Sequence, residues 1–344
     1  MRRWRTLAFL AGALSWTMAA ADMWPAFTWR DLPDLPQALG GQFVGVVDDR
    51  IVVAGGSFWT RAPWSGGTKS WSDAVYVLTR HDNQWRLAGK LPEAMGYGCA
   101  VTTPSGMLLI GGQTSNSVSD RIYGLRFENG RLQTEGLSHL PHPMMTEGGA
   151  LAGDTVYLAG GQSTAAPTQA LTSFLSARVA DLENRRAVWK QLPLWPGPAR
   201  FLPQMAAAGG SIYLVGGSDL VGSVRHFLSD AYEFTPDKGW RKLHNFPQPA
   251  QAGTAAASHG RLCIFGGSDG TLAPFETLLK EDHPGFSRMA WTYDPARDQW
   301  IPAARMPVSL VTTGIAAWGG ELVIAGGEDR PAHRSARVVA AKPR

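Results

Sequence analysis

The chain has 344 residues, of which only 17% are charged, while 40 are glycine, 23 are proline and 14 are tryptophan. Few charges combined with many turn-forming and aromatic residues predict an all-β protein with short loops and argue against a disordered chain. Lysine and arginine exceed aspartate and glutamate by only 32 to 28. No basic run indicates binding to nucleic acid or to a membrane surface, so we expect neither partner.

The N-terminus has the pattern of a secretory signal peptide. Arg2, Arg3 and Arg5 precede the apolar run TLAFLAGALSWTM, and the small residues AAAD follow at 19–22. The run is shorter than the roughly 20 residues that span a bilayer, although an N-terminal anchor is the alternative. We predict that residues 1–21 are removed, that residues 22–344 form a single domain, and that the protein is periplasmic.

An apolar strand that ends in a glycine pair recurs along the chain. A strand of small residues precedes each pair, and a third strand with an aromatic or branched core follows most of them, often with a fourth marked by tryptophan. Four short antiparallel strands per unit, repeated at this period, predict a six-bladed kelch-type β-propeller. The six glycine-pair strands are RIVVAGG (50–56), MLLIGG (107–112), TVYLAGG (155–161), SIYLVGG (211–217), RLCIFGG (261–267) and ELVIAGG (321–327).

The two ends of the repeat array complement each other. AFTWRDLPDLP, which contains Trp29, reads as a fourth strand without the first three, and SARVVAA near the C-terminus reads as a third strand without a fourth. We expect the N-terminal strand to join the last blade and close the ring, which leaves no open sheet edge there. Cys99 and Cys263 fall on strands of separate repeats, which rarely come close enough for a disulfide, so we expect two buried thiols, with a disulfide in the exported protein as the alternative.

The loops after the second strands open around the mouth of the central channel. Those of blades two, three and four carry mostly neutral turn residues, whereas the last blade has GGEDRPAHRSARV, with Glu328 and Arg334 on either side of Pro331. Arginine can grip a carboxylate through two hydrogen bonds, and a partly buried glutamate can move a proton. On charge alone, a solvated loop with an incidental ion pair remains the alternative.

The stretch GGEDRPAHRS resembles the Gly-Glu-x-Lys/Arg-Pro-Gly-x-Arg-Thr/Ser motif of the bacterial N-acetylneuraminate epimerases, which are six-bladed kelch propellers of the periplasm. Residues 53–78 resemble that family's long glycine- and lysine-containing loop. LPEAMGYGCAV is similar to its Ala-Tyr-Gly inner strand, and residues 265–286 resemble its acidic, aromatic insertion. The order of these motifs resembles a cyclically permuted branch of the family.

The resemblance implies a role for four residues. Glu328 falls on the family's proton acceptor, and Arg334 falls on its substrate-gripping arginine. Arg200 and Lys69 also match family positions and are expected to bind substrate, with a structural arginine lining the channel and a plain surface lysine as their alternatives. His333 departs from the family pattern, as does the alanine before it.

The activity that the resemblance implies is interconversion of the anomers of a free acidic sugar, above all α- and β-N-acetylneuraminate. Ring opening and reclosure by acid–base chemistry would need no metal or organic cofactor. The binding partner would be a small sugar acid. The general acid is either His333 or a water molecule. The sequence does not give the number of subunits.

Two other classes of protein share this architecture. A non-catalytic kelch propeller would bind a glycan or a protein. A copper oxidase of the galactose-oxidase type would need clustered histidine and tyrosine, with a tyrosine near a free cysteine, whereas the eight histidines here are scattered.

Overall fold

The computed structural model describes residues 27–166, 169–222 and 224–344. Within these residues, six antiparallel sheets of four strands each form a six-bladed β-propeller, as predicted. The predicted signal peptide, residues 1–21, lies outside the described residues. None of the helices in the described part of the chain is long and apolar enough to cross a membrane.

The first three blades follow one another along the chain after a leading strand. Their elements, in chain order, are Phe27–Leu32 (β1); Phe43–Val47 (β2), Arg50–Ala54 (β3), Ser57–Trp59 (β4), Lys69–Trp71 (β5), Ala74–Leu78 (β6) and Arg86–Lys90 (β7); Met95–Gly96 (β8), Cys99–Thr103 (β9), Gly106–Ile110 (β10), Gln113–Thr114 (β11), Arg121–Glu128 (β12) and Arg131–His139 (β13); Gly148–Ala152 (β14), Thr155–Ala159 (β15), Phe174–Arg178 (β16), the helix Val179–Glu183 (α1) and Lys190–Gln191 (β17).

The last three blades complete the ring, and short 3-10 turns lie at Pro63–Ser65, Ala273–Phe275 and Lys280–Asp282. The elements of these blades are Gln204–Ala208 (β18), Ser211–Val215 (β19), Ser218–Val221 (β20), Val224–Phe227 (β21), Ala231–Thr235 (β22) and Gly239–Lys242 (β23); Thr254–Ser258 (β24), Arg261–Phe265 (β25), the helix Glu276–Leu279 (α2), Met289–Asp294 (β26) and Gln299–Arg305 (β27); Gly314–Trp318 (β28), Glu321–Arg330 (β29) and His333–Pro343 (β30).

The position of a strand in its blade follows from the size of its side chains. Innermost strands such as β18 (QMAAA) and β24 (TAAAS) carry small residues, and each innermost strand contacts the next around the channel. Second strands such as β19 (SIYLV) are buried at every position because neighbouring blades cover both faces of the sheet. Apolar side chains therefore fill the space between blades.

Tryptophans at the outer strands tie successive blades together. Each one buries apolar surface between two blades and uses its indole N–H for a hydrogen bond to a backbone carbonyl of the preceding blade. The four bonds run from Trp85 to Pro33 (2.7 Å), from Trp189 to His139 (3.0 Å), from Trp240 to Pro193 (2.8 Å) and from Trp300 to His244 (3.0 Å).

The ring closes in the predicted way. Strand β1 pairs antiparallel with β30, with Trp29 opposite Ala341, so the last blade combines the two ends of the described chain. The Trp29 ring packs edge-on against Phe265 of blade five at 6.1 Å between centroids. Cys99 and Cys263 are free and buried, which confirms that prediction.

A belt of backbone hydrogen bonds surrounds the mouth of the channel. One residue of each blade, placed just before its innermost strand, has a left-handed backbone with φ between 47° and 69°. Its N–H donates to the carbonyl of the equivalent residue in the preceding blade, at 2.6–2.9 Å, and six such bonds close the circle. The six belt residues are Gly41, Tyr97, Thr146, Leu202, Ala252 and Thr312.

Candidate functional site

The residue that follows each glycine pair is fixed against the channel mouth. In blade six, Glu328 forms two backbone hydrogen bonds with Val311, at 2.8 and 2.9 Å. Gly327 allows this close approach, because a Cβ there would lie only 2.6 Å from the Val311 carbonyl oxygen and its φ is +117°. Of the six equivalent residues, only Glu328 is charged; the others are Ser57, Gln113, Gln162, Ser218 and Ser268.

Glu328 and Arg334 lie directly opposite each other. They are cross-strand partners of β29 and β30, on the two arms of a hairpin that turns through Ala332 at a φ of 60°. Arg334 Nη1 forms an ion pair with Glu328 Oε1, and their side chains are 4% and 17% exposed. The structure therefore brings together the two residues that the sequence motif singles out, in a place where solvent screens their charges little.

Arg334 also contacts residues of blades one and two. Its Nη2 donates to Tyr97 Oη at 2.5 Å and to Ser57 Oγ at 3.1 Å. The guanidinium lies on Gly40, where a Cβ would approach Nη1 to 2.5 Å. Burial lowers the pKa of Arg334, and the hydrogen-bonded Tyr97 opposes that shift. Arginine nevertheless stays charged at neutral pH.

Lys69 lies over the ring of Tyr97, whose centroid is also 6.0 Å from the guanidinium carbon of Arg334. Its Nζ is 4.2 Å from the centroid of the Tyr97 ring and 4.6 Å from that of Trp71. Burial, and then the positive charge of Arg334, lower the pKa of Lys69 to about 8. Lys69, Arg334 and Glu328 thus lie close together at the channel mouth. We call these three residues, with Tyr97 and Ser57, the mouth cluster.

Two cavities adjoin the mouth cluster. The channel cavity, of about 200 Å³, is lined by all six blades and includes Tyr97. The outer cavity, of about 220 Å³, is lined by Arg334, whereas Glu328 lines neither one. The outer cavity's lining residues are Ala38, Phe58, Trp59, Arg61, Ala62, Trp64, Glu281, Arg330, Ala332, His333 and Arg334.

The outer cavity is walled by loops of three blades. Trp64 Nε1 of the blade-one loop donates to Glu281 Oε1 of the blade-five insertion at 2.6 Å. Arg330 of blade six donates through Nη1 to the Glu281 carbonyl oxygen at 3.0 Å. Aromatic rings and guanidinium groups therefore face the same small volume, an arrangement suited to a polar ligand that also has apolar faces.

Arg200 is not brought to the mouth cluster. It is fully buried, and its two terminal nitrogens bond both carboxylate oxygens of Asp230 at 3.0 and 2.8 Å. Its Nη1 also donates to the Gly216 carbonyl oxygen at 2.8 Å, and its guanidinium lies beside the rings of Trp195 and Tyr232. These contacts fit the structural alternative for Arg200, so we leave it out of the mouth cluster.

His333 lies at the rim of the site. Its Nδ1 is 2.8 Å from Asp329 Oδ1, and its side chain is 55% exposed. Across residues 27–166, 169–222 and 224–344, no three side chains of His, Cys, Asp or Glu come together in a group that could hold a metal ion.

Fold and site together define a six-bladed β-propeller with a carboxylate–guanidinium pair at its channel mouth. In sequence, the chain is related to curated proteins named N-acetylneuraminate epimerase, which confirms the resemblance seen in the motif. The relative from Yersinia pestis (strain Pestoides F) is 34% identical over 127 residues, which cover 31% of this chain and 32% of the relative. That from Haemophilus influenzae (strain PittEE) is 29% identical over 216 residues, which cover 55% of each.

The chain thus spans about a third to a half of the length of these curated relatives. A solved structure of YjhT superimposes with a TM-score of 0.68 at 14% identity, covering 90% of this chain and 99% of that one, so the two share a fold. No protein-family model matches the chain. The cyclic permutation of the motif order stays a prediction.

Proposed function

We propose that the protein is a mutarotase that interconverts the α and β anomers of N-acetylneuraminate. The names of its relatives support this, and the mouth cluster supplies the chemistry. The observation that carries the proposal is the largely buried pair of Glu328 and Arg334, cross-strand partners of which Arg334 also contacts blades one and two. With Lys69 beside it, the cluster has two cations to one carboxylate, and a substrate carboxylate balances that charge.

Arg334 holds the carboxylate on C1 of the sugar. Glu328 pairs with Nη1 of the Arg334 guanidinium. An arriving carboxylate competes for the same N–H groups and leaves a Glu328 oxygen free to accept a proton. Because arginine presents five donors in a fixed plane, Arg334 can retain its bond to Tyr97 while it binds the substrate.

Glu328 takes the proton of the anomeric hydroxyl as the bond between the anomeric carbon and the ring oxygen breaks, and a general acid protonates the released ring oxygen. Rotation about the exposed carbon–carbon bond and reclosure on the other face give the second anomer, and Glu328 returns the proton. Spontaneous mutarotation already occurs, so general acid–base catalysis and positioning supply a sufficient acceleration. The reaction breaks and re-forms one carbon–oxygen bond with proton transfers and no change of oxidation state, and we therefore propose that it uses no metal or organic cofactor.

We also propose that the protein works in the periplasm, where the predicted signal peptide would deliver it. The kelch character of the repeats and a part in sialic acid metabolism belong to the same proposal. The substrate would be a free sugar acid, since a glycosidic bond at the anomeric carbon would prevent ring opening.

Anomer exchange followed by NMR tests the proposal. N-acetylneuraminate freshly released as one anomer should equilibrate faster with the wild-type protein than in buffer, and Glu328→Gln should abolish the acceleration. Equal exchange rates with both proteins would overturn the role of Glu328. Binding of the sugar without any acceleration of exchange would favour a non-catalytic glycan-binding propeller. Anomer exchange of simple aldoses, measured in parallel, shows whether the substrate needs a carboxylate.

A further inference from the structure

Lys69 is held in place by a small hairpin that blade one inserts above the channel mouth. Strands β4 and β5 pair antiparallel, with Ser57 opposite Trp71 and Trp59 opposite Lys69. The Ser57 end of the hairpin is fixed by the hydrogen bond from Arg334. Lys69 and Trp71 are two residues apart on one strand, so they project from the same face, and both reach Tyr97.

The Lys69 ammonium has aromatic neighbours where a structural lysine would have a carboxylate. It lies over the rings of Tyr97 and Trp71, which attract a cation through their faces. Among the described residues, no ion pair or hydrogen bond to Nζ is found, although the side chain is more than half buried. A partly buried ammonium without an anionic partner is costly to keep, and its position calls for a functional reason.

The surroundings of Lys69 also suit it to proton transfer. The ionisable groups near it are Tyr97, over whose ring Nζ lies, and Arg334, which donates a hydrogen bond to Tyr97 Oη and is paired with Glu328. Burial and the Arg334 charge lower the pKa of Lys69 to about 8. Such an ammonium is mostly protonated at pH 7 and yields its proton much more readily than an ordinary lysine.

Opening a sugar ring requires two groups at one carbon: a base on the anomeric hydroxyl and an acid on the ring oxygen. Arg334 contacts Glu328 through Nη1 and Tyr97 through Nη2, and Lys69 lies over the ring of that tyrosine. A sugar held by the guanidinium therefore has both the Glu328 carboxylate and the Lys69 ammonium in its neighbourhood. His333, which the sequence left open together with water as the acid, instead lies 2.8 Å from Asp329 through Nδ1 and is more than half exposed.

We propose that Lys69 is the general acid of the anomer exchange, an inference that rests on the proposed function. In ring opening, Glu328 takes the anomeric hydroxyl proton, the bond between the anomeric carbon and the ring oxygen breaks as the carbonyl forms, and Lys69 protonates the released ring oxygen. In reclosure, the chain hydroxyl attacks the other face of the carbonyl, its proton returns to the Lys69 amine, and Glu328 protonates the carbonyl oxygen. Both groups end as they began.

The test is the pH profile of kcat and KM for anomer exchange, measured by NMR between pH 6 and 10 with the spontaneous rate subtracted. Wild type should lose activity with an apparent pKa near 8 as Lys69 gives up its proton. Lys69→Arg keeps the positive charge but holds its proton too tightly to act as an acid. We expect its kcat to fall about 100-fold with KM little changed, and the alkaline loss near pH 8 to vanish. Lys238→Arg, at an exposed turn, is the matched control.

The outcomes separate the two proposals. Wild-type protein that does not accelerate exchange at all overturns the proposed function and the acid role with it. An active wild type together with Lys69→Arg of normal kcat and an unchanged pH profile overturns the acid role alone. A variant that raises KM without lowering kcat also overturns it, because Lys69 would then only bind the substrate. Since the pH profile of wild type needs no variant, poor folding of Lys69→Arg would leave the test intact.

Discussion

Tyr97 and Arg334 are 237 positions apart in the chain, yet Tyr97 Oη accepts a hydrogen bond of 2.5 Å from Arg334 Nη2. Tyr97 is a belt residue whose ring covers Gly41, and a Cβ on that glycine would lie 2.8 Å from the ring. The left-handed backbone of Tyr97 therefore aims its side chain from blade two across blade one toward blade six. The closed ring, and not the local sequence, sets the position of the guanidinium.

Tyr97→Phe should leave Arg334 with an unsatisfied donor in a buried place. We expect a loss of about 1–3 kcal/mol in the free energy of unfolding and a fall in kcat/KM of about tenfold or more. Urea denaturation and NMR anomer exchange measure the two effects. The control is Tyr76→Phe, because Tyr76 is partly buried and shows no hydrogen bond from its hydroxyl in the described structure. If Tyr97→Phe kept the stability and activity of wild type, the hydrogen bond between Arg334 and Tyr97 would not be needed to position Arg334.

Gly40→Ala should displace Arg334 without touching its hydrogen-bond partners. The added Cβ would meet Arg334 Nη1 at 2.5 Å, so the flexible guanidinium has to move away. We expect KM for the sugar acid to rise about tenfold or more, with a change in stability of about 1–3 kcal/mol. Gly136→Ala, where the nearest atom to the new Cβ is 4.0 Å away, is the control. An unaltered KM in Gly40→Ala would contradict a substrate-gripping role for Arg334 in this position.

The architecture was readable from the sequence because it repeats. Six glycine-pair strands fix six blades, and the unmatched strand around Trp29 predicts the closure that β1 and β30 form. That Glu328 and Arg334 are cross-strand partners also follows from a hairpin between strands adjacent in sequence. These features depend on local pattern and strand pairing, which a sequence displays directly.

Contacts between blades could not be read in the same way. The left-handed backbone of Tyr97 is unusual for a large side chain, and only the belt of hydrogen bonds enforces it. The outer cavity joins Trp64, Glu281 and Arg330, which belong to blades one, five and six. Arg200 forms a salt bridge with Asp230, and no sequence motif predicts that pair. Three-dimensional closure decides each of these contacts.

Arg200→Met separates a structural role from a substrate-binding one. The change leaves the Asp230 carboxylate, whose side chain is 14% exposed, without its bidentate partner. We expect the free energy of unfolding to fall by about 3–5 kcal/mol, because an uncompensated charge then remains in the interior. KM should stay near the wild-type value for the fraction that is folded. Arg241→Met, which removes the more exposed pair with Glu233, should cost far less. If Arg200→Met raised KM without lowering the free energy of unfolding, Arg200 would instead bind substrate.

Glu147 makes the stability of the propeller depend on pH. Its side chain is buried between blades two and three, Oε1 accepts the Cys99 N–H at 3.1 Å, and burial raises the pKa of its carboxyl from 4.5 to about 8. The folded protein thus holds this proton more tightly than the unfolded chain. Its stabilising contribution is complete below about pH 4.5 and is lost as the pH rises toward and through 8.

Glu147→Gln should remove that dependence. Gln42 occupies the equivalent position of blade one, next to the belt, and its amide donates to the Ala325 carbonyl oxygen of the adjacent blade, so an amide fits this place in the fold. We expect the free energy of unfolding of the variant, relative to that of wild type, to increase between pH 5 and 8 by on the order of a few kcal/mol. Above pH 8 this difference should stay constant. Urea denaturation at pH 5, 7 and 9 measures the difference. Glu128 is exposed, and solvent screens its ion pair with Arg126, so Glu128→Gln should show no such gain. A constant difference between Glu147→Gln and wild type at all three pH values would mean that Glu147 does not titrate in this range.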